Sequence, residues 1–161
     1  MKQIHNIAAI YNKNAKILIL GSFPSRKTRE IGFFYGHSQN RFWKVLAGVF
    51  GCNTPSSIEE KKEIILSHNI ALWDVLASCD IKGSADSSIK KAEPNDISPI
   101  LIACDIKQIF VNGKTAQKYY ERYIEPKTGR KAIYLPSTSP ANASWSVERL
   151  VDAWKIIAGA I

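Results

Sequence analysis

Three segments of this 161-residue sequence hold side chains capable of chemistry. The densest is Phe33-Phe34-Tyr35-Gly36-His37-Ser38-Gln39-Asn40-Arg41-Phe42-Trp43, where aromatic rings interleave with imidazole, amide and guanidinium groups. Aromatic faces stack on bases and arginine meets phosphate, so this composition suits nucleic acid. Asn40 has two readings, as the N-cap of the helix that follows or as the polar group of a site. His37 reads equally as a loop hydrogen-bonding group or as a catalyst, and Arg41 as a surface, capping or phosphate-binding residue. The second segment, Gly21-Ser22-Phe23-Pro24-Ser25, joins small residues to a fixed proline, a turn whose backbone N–H groups can face an anion or a flat base. It has neither the spaced Gly-Lys-Ser/Thr of a P-loop, nor G-x-G-x-x-G, nor G-x-S-x-G, which removes the motif support for a serine hydrolase. The third, LPSTSPANASWS over Leu135–Ser146, packs prolines and hydroxyls ahead of a helical pattern that Ser144 or Ser146 can cap. N–H groups at the start of that helix can hold a phosphate.

Four short β-branched runs must carry these segments: Lys16–Leu20, Asn69–Trp73, Lys107–Val111 and Lys131–Leu135. They are continuous rather than alternating, as strands covered on both faces are. Helical patterns fall at Asn40–Phe50, Ser56–Ser67, Asp96–Ala103, Lys114–Tyr123 and Val147–Ile157. Ser56/Glu59 or Ser57/Glu60 forms a capping box on the second, and Gly51 can end the first. Strands separated by helices predict parallel βαβ units, and hence an α/β fold, a three-layer α/β/α sandwich on a four-stranded parallel sheet. One domain over residues 1–161 suits the length. Ligands of such sheets bind beyond the carboxyl ends of the strands, near the topological switch. GSFPS, Asp74 with a polar loop reaching Asn95, Asn112-Gly113-Lys114 and PSTSPAN all follow predicted strands there. Two of these connections are long for a compact domain, which points to function.

Composition narrows the partners. The first fifty residues hold eight basic side chains against a single acid, Glu30, out of a whole-chain net charge of +8. A polyanion that meets this third of the chain is expected, with a merely solvated basic surface as the plainer reading. Cys52, Cys79 and Cys104 have no C-x-x-C spacing and are odd in number, and His5, His37 and His68 are scattered. A disulfide framework and a cysteine-built metal or iron–sulfur centre are therefore not expected. A reducing, cytoplasmic setting fits. No apolar run reaches membrane-spanning length, and the N-terminal stretch has no sustained signal-peptide core.

In order, GSFPS, FYGHSQNRFWKVL and LPSTSPAN resemble the motifs of the uracil-DNA glycosylase superfamily, with LWD and FVNGK falling where that family has its second and third strands. The resemblance covers about residues 16–145. GSFPS stands in place of Gly-x-Asn-Pro-Gly of the mismatch-specific branch, so the Asp or Asn that most branches use to place the attacking water is here Phe23. Ser137 stands where that branch has Asn. The combination is similar to the deoxyinosine (hypoxanthine) glycosylase branch, in which the catalytic amide is the Asn before Arg-Phe-Trp, here Asn40.

That resemblance implies a repair enzyme that flips a deaminated base, hypoxanthine or else uracil, out of double-stranded DNA and hydrolyses its glycosidic bond. Asn40 would orient a water through its carbonyl oxygen, a positioning contribution rather than proton removal. Backbone N–H groups of GSFPS would stabilise the departing base. Ser22, Phe23, Tyr35, His37, Asp74 and Ser137 would bind the base, Tyr35 or Phe34 stacking on it and Phe23 closing the other side. Asp74 would accept N1–H of hypoxanthine or N3–H of uracil, its alternative being a loop cap. Ser139 and Asn142, with Ser137, would contact flanking phosphates while Pro140 and Ala141 fill the gap in the stack. Ser25, Arg26, Lys27 and Arg29, taken as part of a long loop, with Lys114, would add salt-dependent affinity. A monomer without metal or cofactor is implied. Two other functions stay open on the sequence: a catalytically silent nucleic-acid binder on the same fold, and an unrelated nucleotide-binding α/β enzyme.

Overall fold

The structure, a computed structural model, describes residues 2–161. In chain order its elements are β1 (Lys2–Ile4), β2 (Ile17–Gly21), α1 (Arg26–Ile31), α2 (Phe42–Phe50), α3 (Ile58–Ser67), β3 (Ile70–Asp74), β4 (Leu76–Asp80), β5 (Lys90–Pro94), α4 (Ser98–Ala103), β6 (Gln108–Asn112), α5 (Lys114–Tyr119), α6 (Glu125–Thr128), β7 (Ala132–Leu135), α7 (Val147–Trp154) and α8 (Ile156–Gly159). The four apolar runs form one parallel sheet in the order β3-β2-β6-β7. Three of them begin and end one residue later than the sequence suggests, and the fourth begins one later. Asn69, for instance, sits in the left-handed region at φ 58° and turns the chain before the strand starts. The shift has a chemical consequence, since Gly21, Asp74 and Asn112 become the last residues of β2, β3 and β6, with Gly21 paired opposite Asp74.

Side chains alternate across this sheet and feed two cores. Ile17 and Ile19 face α2, α3 and α7, where Phe42, Leu46, Ile65, Leu150 and Trp154 are buried. Leu18 and Leu20 face the opposite layer, where Ile100 of α4 and Ala116 of α5 are buried with Tyr120. Apolar cover on both faces explains the unbroken hydrophobic runs. Cys79 and Cys104 belong to the second core, and burial pushes both thiols up, that of Cys79 to about 11. Cys52, one residue beyond the left-handed Gly51 that ends α2, is exposed. None of the described helices is long and apolar enough to cross a membrane.

Two expectations are corrected. The stretch from Asp74 to Asn95 is not a polar loop: β4 and β5 form an antiparallel hairpin, and β1 adds to its free edge to make a three-stranded sheet ordered β1-β4-β5. The segment after GSFPS is not all loop either, because Arg26–Ile31 is helical. Helix boundaries also tighten. Ser57 and Glu60 make the capping box of α3, and Ser146 caps α7. The chain from Lys114 bends through a π-helical turn at Tyr120–Ile124, and the last helical pattern divides into α7 and α8.

The strand after β2 lies on one side of it and β6 on the other, so the topological switch falls between the carboxyl ends of β2 and β6. Trp154 fixes the loop that follows β7 from below, its buried indole N–H donating to the Pro136 carbonyl at 2.9 Å. Trp154→Phe keeps most of the ring but strands that carbonyl, and is expected to lower stability by about 1–3 kcal/mol in chemical denaturation.

Candidate active site

A cavity of about 420 Å³ opens at the switch. Its wall brings together Asn40, the predicted catalytic residue, with Ser22, Phe23, Tyr35, Asp74 and Ser137 from the predicted base-binding set, and Ser25, Lys114, Ser139 and Ala141 from the predicted DNA-binding set. His37, Arg26, Lys27, Arg29, Pro140 and Asn142 do not line it.

Gly21 makes this convergence possible. A Cβ there would collide with Asp74 Oδ1 and would stand 2.7 Å from the Tyr35 hydroxyl, so only glycine lets the two polar groups close over the end of β2. Asp74 is buried, and its Oδ2 takes a hydrogen bond from His5 Nε2 at 2.8 Å. Tyr35 has φ 50°, an outlier for an aromatic residue and a local strain that the surroundings must impose. Its ring stacks on Phe42 with centroids 4.1 Å apart, leaving the opposite ring face as the one available to a ligand. Burial of the phenol, and then the charge of Asp74, push the Tyr35 ionisation far above its usual range, against a lowering contribution from Asn112.

A buried polar chain crosses the floor. Asn112 Nδ2 donates to Tyr35 Oη at 3.2 Å and to Thr138 Oγ1 at 3.1 Å, while Asn112 Oδ1 accepts the Thr138 backbone N–H. The Thr138 hydroxyl then donates to Asn40 Oδ1 at 2.9 Å. Arg41 rather than Asn40 takes the N-cap position of α2, but the Phe42 N–H donates to the same Asn40 oxygen at 3.0 Å, so Asn40 both holds the start of the helix and lines the cavity. With both of its carbonyl lone pairs engaged, the group it can offer a ligand is its Nδ2 amide.

Arg41 anchors the third motif. Its guanidinium donates to the carbonyls of Ser139 at 2.8 Å and Asn142 at 3.0 Å and to that of Trp145, and its backbone N–H donates to Thr138 at 3.1 Å. It is therefore a brace for the PSTSPAN loop rather than a free phosphate contact. The loop also braces itself. Asn142 Nδ2 donates to the Ser137 carbonyl, and the hydroxyls of Ser137 and Ser139 accept backbone N–H groups of Ser139 and Ala141.

The basic stretch after GSFPS is largely committed to structure. Ser25 caps α1, Arg26 pairs with Glu30, and Arg29 donates to the Pro24 carbonyl while its guanidinium lies 5.2 Å from the Phe23 ring centroid. Lys27 and Lys114 are exposed. His37 accepts the Gln39 N–H within its own loop.

Sequence reasoning passed over His5, Asn112 and Thr138 as site residues, as well as Asp86, which borders the cavity from the β4–β5 connection. Asp86 is exposed by area, yet desolvation still raises its carboxyl and Asp74 adds to the rise, against lowering hydrogen bonds from Thr115 and Ser22. Alternation and spacing carry no signal for His5 or Asp86, whose partners lie in distant parts of the sequence. The position of Asn112 after an apolar run was the one available clue.

The sequence model of the uracil DNA glycosylase superfamily matches residues 8–158. A hypoxanthine DNA glycosylase of Methanosarcina acetivorans is 36% identical over 146 residues, covering 88% of this chain and 89% of that protein. One of Methanosarcina barkeri is 32% identical over 135 residues, covering 83% and 84%. A solution NMR structure from Methanosarcina acetivorans, provisionally assigned as a uracil DNA glycosylase, superposes with a TM-score of 0.82 at 31% identity over 98% of this chain and 97% of that one.

Thr138→Val preserves shape but deletes the proton that links Asn112 to Asn40. Urea unfolding should show a loss of about 1–3 kcal/mol. Alkaline pH offers a second reading of the same floor. Folded Tyr35 keeps its proton past the usual 10.0 at which the unfolded chain releases it, so its stabilising contribution is whole below that pH and declines above it. Tyr119 and Tyr120, raised chiefly by burial, act in the same direction. Denaturation midpoints should fall between about pH 9 and 11, and less steeply in Tyr35→Phe.

Proposed function

This chain belongs to the uracil DNA glycosylase superfamily and is a DNA glycosylase, and from that premise we propose that it removes hypoxanthine from double-stranded DNA with a water set in place by Asn40. The observation that carries this reading is the fixed Asn40 amide on the wall of a base-sized cavity at the strand ends. The names of the relatives from Methanosarcina support the choice of base.

A base within the duplex is shielded at its sugar bond, and extruding it costs a few kcal/mol, less where the pair is mismatched. The flipped base enters between Tyr35 and Phe23. Asp74 Oδ1 accepts its N–H and disfavours adenine, whose N1 is an acceptor. The C1′–N bond then breaks, its electron pair leaving on the base, and a water oxygen bonds to C1′ with its proton passing to solvent or to the departing anion. Asn40 Nδ2 donates to that water and holds one lone pair, while the other faces C1′. This assigns the amide N–H the positioning work first expected of the carbonyl, because the carbonyl is held by Phe42 and Thr138. Such positioning removes the entropy cost of capturing a free water. Backbone N–H groups of Ser22 and Phe23 stabilise the anionic base. Ser139, Pro140 and Ala141 meet the strand from which the base has left, and Lys27 and Lys114 supply contacts that weaken with salt.

The test is abasic-site formation in labelled duplexes carrying hypoxanthine, uracil or xanthine, read after alkaline cleavage. Hypoxanthine is expected to be removed fastest. Asn40→Ala is expected to lose about 100-fold or more in single-turnover rate with DNA affinity kept. Full activity of Asn40→Ala would remove that residue from the mechanism, and faster uracil release would change the assigned base.

A further inference from the structure

We propose that His5, which lies ahead of the matched residues 8–158, is the positioning residue that fixes Asp74 as the reader of the flipped base. The inference rests on the reading above that Asp74 meets the base edge. His5 and Asp74 are both nearly inaccessible, with side-chain exposures of 2% and 5%. The Ile7 backbone N–H donates to His5 Nδ1 at 3.2 Å. An Nδ1 that accepts leaves the ring proton on Nε2, and that proton points at Asp74 Oδ2.

The imidazole has no freedom to leave. Phe23, Phe34 and Trp73 surround it with ring centroids at 6.2 Å each. The His5 N–H donates to the Ala77 carbonyl at 2.7 Å, continuing the pairing of β1 with β4, and the Trp73 indole N–H donates to the Ile7 carbonyl at 3.1 Å. The short N-terminal strand thus delivers one oriented donor to one carboxylate oxygen.

The other carboxylate oxygen is left for a ligand. Among the described residues Oδ1 has no hydrogen-bond donor, yet no buried side-chain polar atom lacks a partner, so Oδ1 reaches the cavity that Asp74 lines. With Oδ2 held by His5 and Oδ1 set against Gly21, the carboxylate is fixed with one acceptor oxygen toward the cavity. An acceptor held in this state selects bases bearing an imino N–H beside a carbonyl, the group that deamination creates, and works against those with a bare ring nitrogen.

The variants His5→Gln, His5→Asn and His5→Leu separate positioning from packing. A glutamine Nε2 is as many bonds from the backbone as the imidazole Nε2 and reaches Asp74, whereas asparagine is one bond too short. The series is run on whichever of the hypoxanthine, uracil or xanthine duplexes the wild-type protein cleaves fastest, so an error in the assigned base does not decide this test. His5→Asn and His5→Leu are expected to lose about 10-fold to 100-fold in single-turnover rate, the effect of deleting one hydrogen bond to a charged group. His5→Gln is expected to stay within about threefold of wild type. Affinity for DNA carrying a preformed abasic site, which offers no base to read, stays unchanged in all three. If His5→Leu does not fold, the Gln and Asn pair decides alone. Wild-type rates in His5→Asn, or equal losses in His5→Gln and His5→Asn, would overturn the assignment.

Discussion

The Thr138 hydroxyl has one proton to give and no contact with solvent. It accepts from Asn112 and must therefore donate to Asn40. That single direction links the end of β6, the loop after β7 and the first turn of α2. The Asn40 side chain also accepts the Phe42 N–H, so the group that holds the start of α2 and the group on the wall of the cavity are the same. Buried polar chains of this kind are costly when broken and specific when complete. Completeness here is general, since no buried side-chain donor or acceptor among the described residues lacks a partner.

Arg41 does for the backbone what Thr138 does for the side chains. A planar fork that reaches several carbonyls of one loop fixes a shape that prolines and small residues alone would leave loose. The loop can then meet a polyanion with its ordering largely complete beforehand, which spares part of the entropy of binding. In the layer below, Trp154 and Phe42 pack edge to face and hold the floor of the same loop.

Much of the architecture was legible because its sheet is buried on both sides. Ile17–Leu20 and Ile109–Val111 could be read as strands with no knowledge of their neighbours, and the parallel sheet followed from the helical patterns between them. The β4–β5 hairpin was not legible. Lys90-Lys91-Ala92-Glu93-Pro94 is polar, mostly exposed and carries a left-handed Lys91, so nothing in its pattern signals a strand. Helix α1 was hidden for a related reason, being one and a half turns long with no acid in its first turn. Residues of the GSFPS, aromatic and PSTSPAN motifs meet at the cavity, the first and last because they follow β2 and β7. The partners of Arg26 and Arg29 were hidden since a basic run looks the same whether its charges meet solvent, a carboxylate or backbone carbonyls. His5 was invisible, because its meaning depends on a partner some seventy residues away in another sheet.

Cys52 is the exposed thiol among the described cysteines, while Cys79 and Cys104 are enclosed and held in the unreactive form. A maleimide dye should therefore attach at one place in the unaltered protein, beyond α2 and away from the cavity-lining residues. The motion of single molecules along a stretched duplex could then be followed without engineering the chain. The same handle would distinguish an enzyme that scans by sliding from one that hops between encounters, a difference that ionic strength should tune.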